Sequence, residues 1–80
     1  MEHELKIEPQ YLEQLLSGDK TAEVRINDRG YQKGDIIIFK DYSGYETREY
    51  YFKITYIHSG LGMAGNYVVL NLTRTSDGEA

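Results

Sequence analysis

The fold of this chain is decided around residues 17–29, which read SGDKTAEVRINDR. A glycine at position 18 separates a short amphipathic segment from an extended run in which apolar and polar residues alternate. Because side chains alternate between the two faces of a strand, this run predicts a strand over residues 21–27. One face carries apolar residues and the other a polar row made of Thr21, Glu23, Arg25 and Asn27. If the chain has a functional site, we expect it in this polar row.

The segments on either side predict one helix and four further strands. Residues 3–7 alternate like a strand, and Pro9 then begins a helix that we expect to end at Gly18. Further strands are predicted over residues 36–39, 46–58 and 67–73. Five short strands and one helix cannot cover both faces of a flat sheet in 80 residues. We therefore expect a mainly β, α+β domain of order β-α-β-β-β-β, curled into a small barrel with the helix over one opening.

Length and composition limit the class of protein. Eighty residues form one domain, which we expect to span residues 1–74, with residues 75–80 as a flexible tail. The chain has no cysteine, which excludes disulfides, thiolate chemistry and cysteine-rich zinc sites. The sequence has no signal-peptide pattern and no apolar run long enough to span a membrane, so we expect a cytoplasmic protein without a membrane partner.

The charge distribution favours a localised contact with an anion. The net charge is −4, which argues against a bulk electrostatic grip on nucleic acid. Residues 20–34 nevertheless contain four basic and two acidic residues, a local surplus of +2. An acidic body with one small basic face allows a localised phosphate contact and predicts weak non-specific binding.

Two features that often signal a metal or a cofactor are weak in this chain. His3 and His58 have no second His or Cys at ligand spacing, so we predict no metal site. We expect His3 either to reach the site from the first strand, beside Lys6, or to be a hydrogen-bonded edge residue. Residues 60–65 match GxGxxG but do not open a helix after a first strand. They predict a flexible hairpin loop, and no cofactor is expected.

The motifs HxLKI at residues 3–7 and GxKTxExR at 18–25, with NDR at 27–29 before the Gly-Asp pair at 34–35, resemble the ASCH domain of the PUA-like superfamily. The resemblance extends to about Arg74. It implies a PUA-like barrel with a ligand cleft between the helix and the barrel. ASCH domains are generally proposed to bind RNA or modified nucleosides, so the resemblance implies RNA or a nucleotide as the partner.

The resemblance also implies roles for individual residues. Lys20 and Arg25 would engage phosphate, and Glu23 would accept a hydrogen bond from a base or from Arg25 itself. The outer candidates of this site are Asn27 and Arg29 at the rim, with Lys6, His3 and Tyr67. Without the resemblance, a solvated strand face carrying a weak ion pair is the preferred interpretation of this pattern.

Two other classes of function remain open. One ASCH branch is a small amidohydrolase that deacetylates N4-acetylcytidine, and a ribonuclease activity is reported for another. The hydrolase's catalytic lysine matches Lys20, but its nucleophilic threonine falls where this chain has Glu23. Lys20 and Glu23 would therefore be catalytic only if Glu23 acted as a general base on water. We rank binding above hydrolysis, and keep a protein-interaction module as a further alternative.

Overall fold

The structure, a computed structural model, describes residues 1–60 and 65–75. Most of the predicted glycine-rich loop and of the predicted tail falls on residues 61–64 and 76–80, which lie outside the described residues. The elements follow the predicted order: β1 (Glu2–Leu5), α1 (Pro9–Ser17), β2 (Ala22–Ile26), β3 (Ile36–Asp41), β4 (Arg48–Ser59) and β5 (Tyr67–Thr75). Thr75, expected at the start of the tail, is the last residue of β5.

The five strands form one sheet that curls into a half-barrel. Their order in the sheet is β1-β3-β4-β5-β2, so the first two strands of the chain lie at its opposite edges. β1 is parallel to β3, and the other pairs are antiparallel. The mainly β architecture with one helix after the first strand is thereby confirmed.

The single helix of the described residues sits between the two edge strands in sequence. Pro9 occupies its first turn, and Gly18 ends it in the left-handed conformation with φ of 86°. The Gly18 N–H donates to the carbonyl of Leu15. The side chains of Leu12 and Leu15 are buried in the core and hold the helix against the sheet. Within residues 1–60 and 65–75, no helix is both long and apolar enough to cross a membrane.

The core is centred on β3, whose first four residues are all buried. Ile37 and Phe39 are fully covered on the inner side, where Phe39 packs edge-on against Phe52 with ring centroids 5.7 Å apart. Ile36 and Ile38, on the alternate side, are 6% and 5% exposed. A strand covered on both faces reads as a continuous apolar run, which is the pattern that this segment has.

A β-bulge in β4 changes which side chains face the core. Continuous alternation places Tyr56 on the same face as Phe52 and Ile54. The register between β4 and β5 shifts, however: Ile54 pairs with Leu72, whereas Tyr56 pairs with Asn71. The extra residue inverts the alternation, so that expectation for Tyr56 is wrong. Its side chain is 53% exposed, and Ile57 packs against the core instead.

Candidate functional site

The middle of the polar row, Glu23 and Arg25, lies on the covered side of β2, whereas Thr21 and Asn27 at its ends are exposed. Glu23 is only 8% exposed, whereas Val24 and Ile26 on the other face are 58% and 49% exposed. A solvated face with a weak ion pair therefore does not describe Glu23. A buried carboxylate requires compensating partners, because removing its charge from water is costly.

Two cations supply that compensation. Lys20 Nζ donates to Glu23 Oε1 at 2.6 Å, and Arg25 Nη2 lies 3.1 Å from Glu23 Oε2. Each carboxylate oxygen thus faces its own positive charge. Lys20 reaches Glu23 because it follows the end of α1, where its ammonium also lies 4.7 Å from the centroid of the Tyr11 ring.

Arg25 connects the two edges of the sheet. Besides its contact with Glu23, its Nη2 donates to the main-chain carbonyl of Lys6, just after β1, at 2.7 Å. Its guanidinium carbon lies 5.8 Å from the centroid of the Phe39 ring. Within the part of the chain that the structure describes, its Nε is buried without a hydrogen-bond partner. The Arg25 side chain as a whole is 24% exposed, so part of its guanidinium is accessible from the cleft although its Nε is not.

A cleft of about 540 Å³ opens between these two edges. Its walls come from the end of β1, from β2, from the β2–β3 connection and from the start of β5, so this cleft lies between the two edge strands. A second cleft, of about 470 Å³, lies between the helix and the sheet, where Pro9 and Leu12 face Lys40 and Asp41. The lining residues of the first cleft are Glu4, Leu5, Lys6, Glu23, Val24, Arg25, Ile26, Asp28, Arg29, Tyr31 and Tyr67. Three are acidic and three basic, so their formal charges cancel.

The structure brings most of the predicted site residues together. Five of them line the cleft: Lys6, Glu23, Arg25, Arg29 and Tyr67. Lys20 takes part through its contact with Glu23. Asn27 lies in the next turn, where its side-chain oxygen accepts from the Tyr31 N–H at 3.1 Å and positions that connection.

His3 lies apart from the cleft lining. It is 5% exposed, and its Nε2 lies 2.8 Å from Asp35 Oδ2. Asp35 also accepts from the Gln32 N–H at 3.0 Å and from the amino group of Met1 at 3.2 Å. Burial on its own would raise the pKa of Asp35, but the hydrogen bonds from these three donors outweigh it and lower the pKa. This His3–Asp35 pair holds β1 to the start of β3.

Sequence reasoning did not select three polar residues of the lining, which are Glu4, Asp28 and Tyr31. Tyr31 is buried, and its burial raises the pKa of its phenol although Arg25 and Arg29 act in the opposite direction. Asp28 and Glu4 each lie near a basic residue, Arg29 at 3.9 Å and Lys40 at 3.3 Å. The sequence feature that could have identified them is their position within two residues of Lys6 or Arg29, which were predicted site residues. Within the described residues, no group of three His, Cys, Asp or Glu side chains is arranged to hold a metal ion.

Comparisons with known proteins place the chain in a family without assigning a function. A family model described as "Domain of unknown function (DUF3850)" matches residues 2–72. The chain is also similar to an "Uncharacterized 12.9 kDa protein in GpA 3'region" of Escherichia phage P2, with 40% identity over 40 residues. That stretch covers 50% of this chain and 37% of the phage protein.

Proposed function

We propose that this chain, which belongs to the DUF3850 family, binds RNA or a nucleotide in the cleft between β1 and β2. The proposal extends to the finer fold assignment, an ASCH-like barrel of the PUA-like superfamily. The half-barrel with one helix after β1 is compatible with that assignment. So is the concentration of the GxKTxExR side chains at one cleft.

The observation that carries the proposal is the state of Arg25. Its guanidinium is held from two sides, by the Glu23 carboxylate and by the Lys6 carbonyl, and its side chain is 24% exposed where it lines the cleft. A positioned arginine loses little conformational freedom on binding, and its planar donors match a phosphate or a base edge. Arg25 is therefore the proposed central ligand contact.

The residues around Arg25 are proposed to contact the phosphate and the base. Lys20 is engaged with Glu23, so the proposed phosphate contacts fall to Lys6 and Arg29, whose side chains are exposed at the cleft. Lys6 has no ion pair among the described residues. Tyr67 is 44% exposed and lines the cleft, which suits a ring on which a base stacks.

The test is a titration of a fluorescent single-stranded RNA at low salt, followed by anisotropy. We expect saturable binding, weakened at least tenfold by Arg25→Ala and severalfold by Arg29→Ala, because each removes a cationic contact. Arg48→Ala is the matched control, since Arg48 is exposed at the start of β4 and away from the cleft. Circular dichroism checks that each variant is folded. No saturable binding, or an equal loss for Arg48→Ala, would contradict the proposal.

Hydrolysis is the second candidate, because the Lys20–Glu23 contact of 2.6 Å pairs the two residues that such chemistry would use. Against it, both oxygens of Glu23 already face cations, so a water molecule must compete with Lys20 or Arg25 for the carboxylate. Incubation with N4-acetylcytidine or with RNA tests this candidate. Turnover that disappears in Glu23→Gln would support catalysis and displace simple binding as the main function.

A further inference from the structure

The main chain of β2 presents unpaired groups to the cleft. The Asn27 N–H donates to Asn66, and the Leu72 N–H donates to Thr21, so the main chains of Thr21 and Asn27 face β5. Because successive residues of a strand direct their N–H and C=O groups to alternate sides, Val24 and Ile26 face away from β5. β2 is the edge strand, so among the described residues these groups have no strand partner there.

The main chain of β1 also directs N–H and C=O groups toward the cleft, from the opposite wall. The Ile36 N–H donates to the Met1 carbonyl, so the main-chain groups of the odd-numbered residues of β1 point toward β3. By alternation, the main-chain groups of Glu4 and Lys6 face away from β3. The Lys6 carbonyl bears this out directly, because it accepts from Arg25 on the cleft side.

The cleft is therefore bounded by two strand edges that have no strand partner among the described residues, and on the β1 side the Lys6 carbonyl is already occupied by Arg25. Val24 and Ile26 line one wall and Glu4 and Lys6 the other. Such an edge presents a row of N–H and C=O groups with which another chain or a ligand can form hydrogen bonds. The formal charges of the lining cancel, which favours an uncharged hydrogen-bonding group inside the cleft over a phosphate. Its volume also lies within the range of about 300–1,000 Å³ typical of small-ligand sites.

We propose that this cleft takes up a nucleobase of single-stranded RNA or of a nucleotide, and reads its edge through the main-chain groups of β1 and β2. This inference rests on the proposed function and deepens it, since it assigns the base to the interior and the phosphate to Lys6 and Arg29 outside. An unstacked base offers donors and acceptors along its edge and a face for stacking. Val24 supplies the edge contacts, and Tyr67 lies beside Ile26 in the strand register to stack on the base.

The decisive variant is Val24→Pro. Proline removes the Val24 N–H, which faces the cleft, and leaves every N–H that pairs β2 with β5 in place. Arg74→Pro is the matched control. The Arg74 N–H points to the same side of β5 as the Leu72 N–H, but Arg74 lies beyond the end of β2 and away from the cleft. The probes are a labelled 12-nucleotide single-stranded RNA and an abasic strand with the same number of phosphates. Circular dichroism and light scattering accompany the titrations.

We expect the wild type to bind the RNA at least tenfold more tightly than the abasic strand. Val24→Pro should lose most of that difference, and Arg74→Pro should retain it. Equal binding of both strands, or folded Val24→Pro with wild-type affinity, would overturn main-chain reading of the base while leaving nucleotide binding intact. Absence of binding to either strand would overturn both proposals. A wild-type dimer that Val24→Pro converts to monomer would show that a second copy's strand, and not a base, pairs with this edge.

Discussion

Asp35 is the residue whose ionisation matters most visibly for stability. Its pKa is lower in the folded chain than its ordinary value of 3.8, since hydrogen bonds from His3, Gln32 and the amino group outweigh the effect of burial. A carboxyl with a depressed folded pKa contributes stability that is present above the unfolded value and is lost as pH falls through the folded value.

We therefore expect the free energy of unfolding to fall as the pH is lowered from about 5 through 3.8 and below it, and to fall less in Asp35→Asn. At neutral pH the same variant should be less stable than the wild type, because the amide cannot replace the charged acceptor. Urea unfolding at a series of pH values measures both effects. Asp19→Asn is the control, since Asp19 is exposed and has no ion pair among the described residues. Identical pH profiles for Asp35→Asn and the wild type would contradict this account.

For individual residues, the sequence predicted that Glu23 and Arg25 lie together, but not that their face of β2 is the covered one. The spacing of Glu23 and Arg25 placed them side by side on one face of β2, and the structure has them 3.1 Å apart. Alternation is symmetric between two faces, so it could not say that the apolar face would be the exposed one. That choice depends on the register with β5 and on the reach of Lys20, and both are tertiary.

Among the secondary-structure elements, the helix α1 is ended by a glycine whose backbone conformation contributes to the stability of the chain. Gly18 has φ of 86°, a conformation that costs an L-residue about 1 kcal/mol or more, and no atom lies near the position of an added Cβ. We expect Gly18→Ala to lower the free energy of unfolding by about 1 kcal/mol through backbone strain alone. Gly44→Ala is the comparison, because Gly44 has no positive φ and only an ordinary contact, 3.8 Å, to the Glu46 carbonyl. Equal unfolding midpoints of the two variants in urea would be inconsistent with this role.

The elements themselves were predictable, because proline, glycine and the two periodicities mark most of their bounds. The bulge in β4 was not. Residues 50–56 alternate without interruption in polarity, and tyrosine is compatible with either face. Only the pairing with β5 reveals that Thr55 is the inserted residue before Tyr56. A bulge of this kind belongs to the relation between two strands, so it leaves little trace in one of them.

For the whole molecule, charge sets the expected salt response. The net charge is −4, and two cations at the cleft, Lys6 and Arg29, are the proposed phosphate contacts. For single strands, the logarithm of the binding constant falls with the logarithm of salt concentration by about 0.7 per neutralised phosphate. Two neutralised phosphates give an expected slope of about −1.4 for RNA binding. Titrations across a salt series measure it, and a much steeper slope would indicate non-specific contact over a wider surface.

The strand order has a consequence for how the chain acquires its structure. Among the strands of residues 1–60 and 65–75, β2 pairs only with β5, and β1 pairs only with β3, across the helix. Contacts between distant segments slow folding, because the intervening chain must be ordered before they form. During synthesis, the strand that carries Glu23 and Arg25 therefore has no neighbour until residues 67–75 emerge. A chain interrupted before Tyr67 would keep the sequence motif and lack the surface that holds it in place.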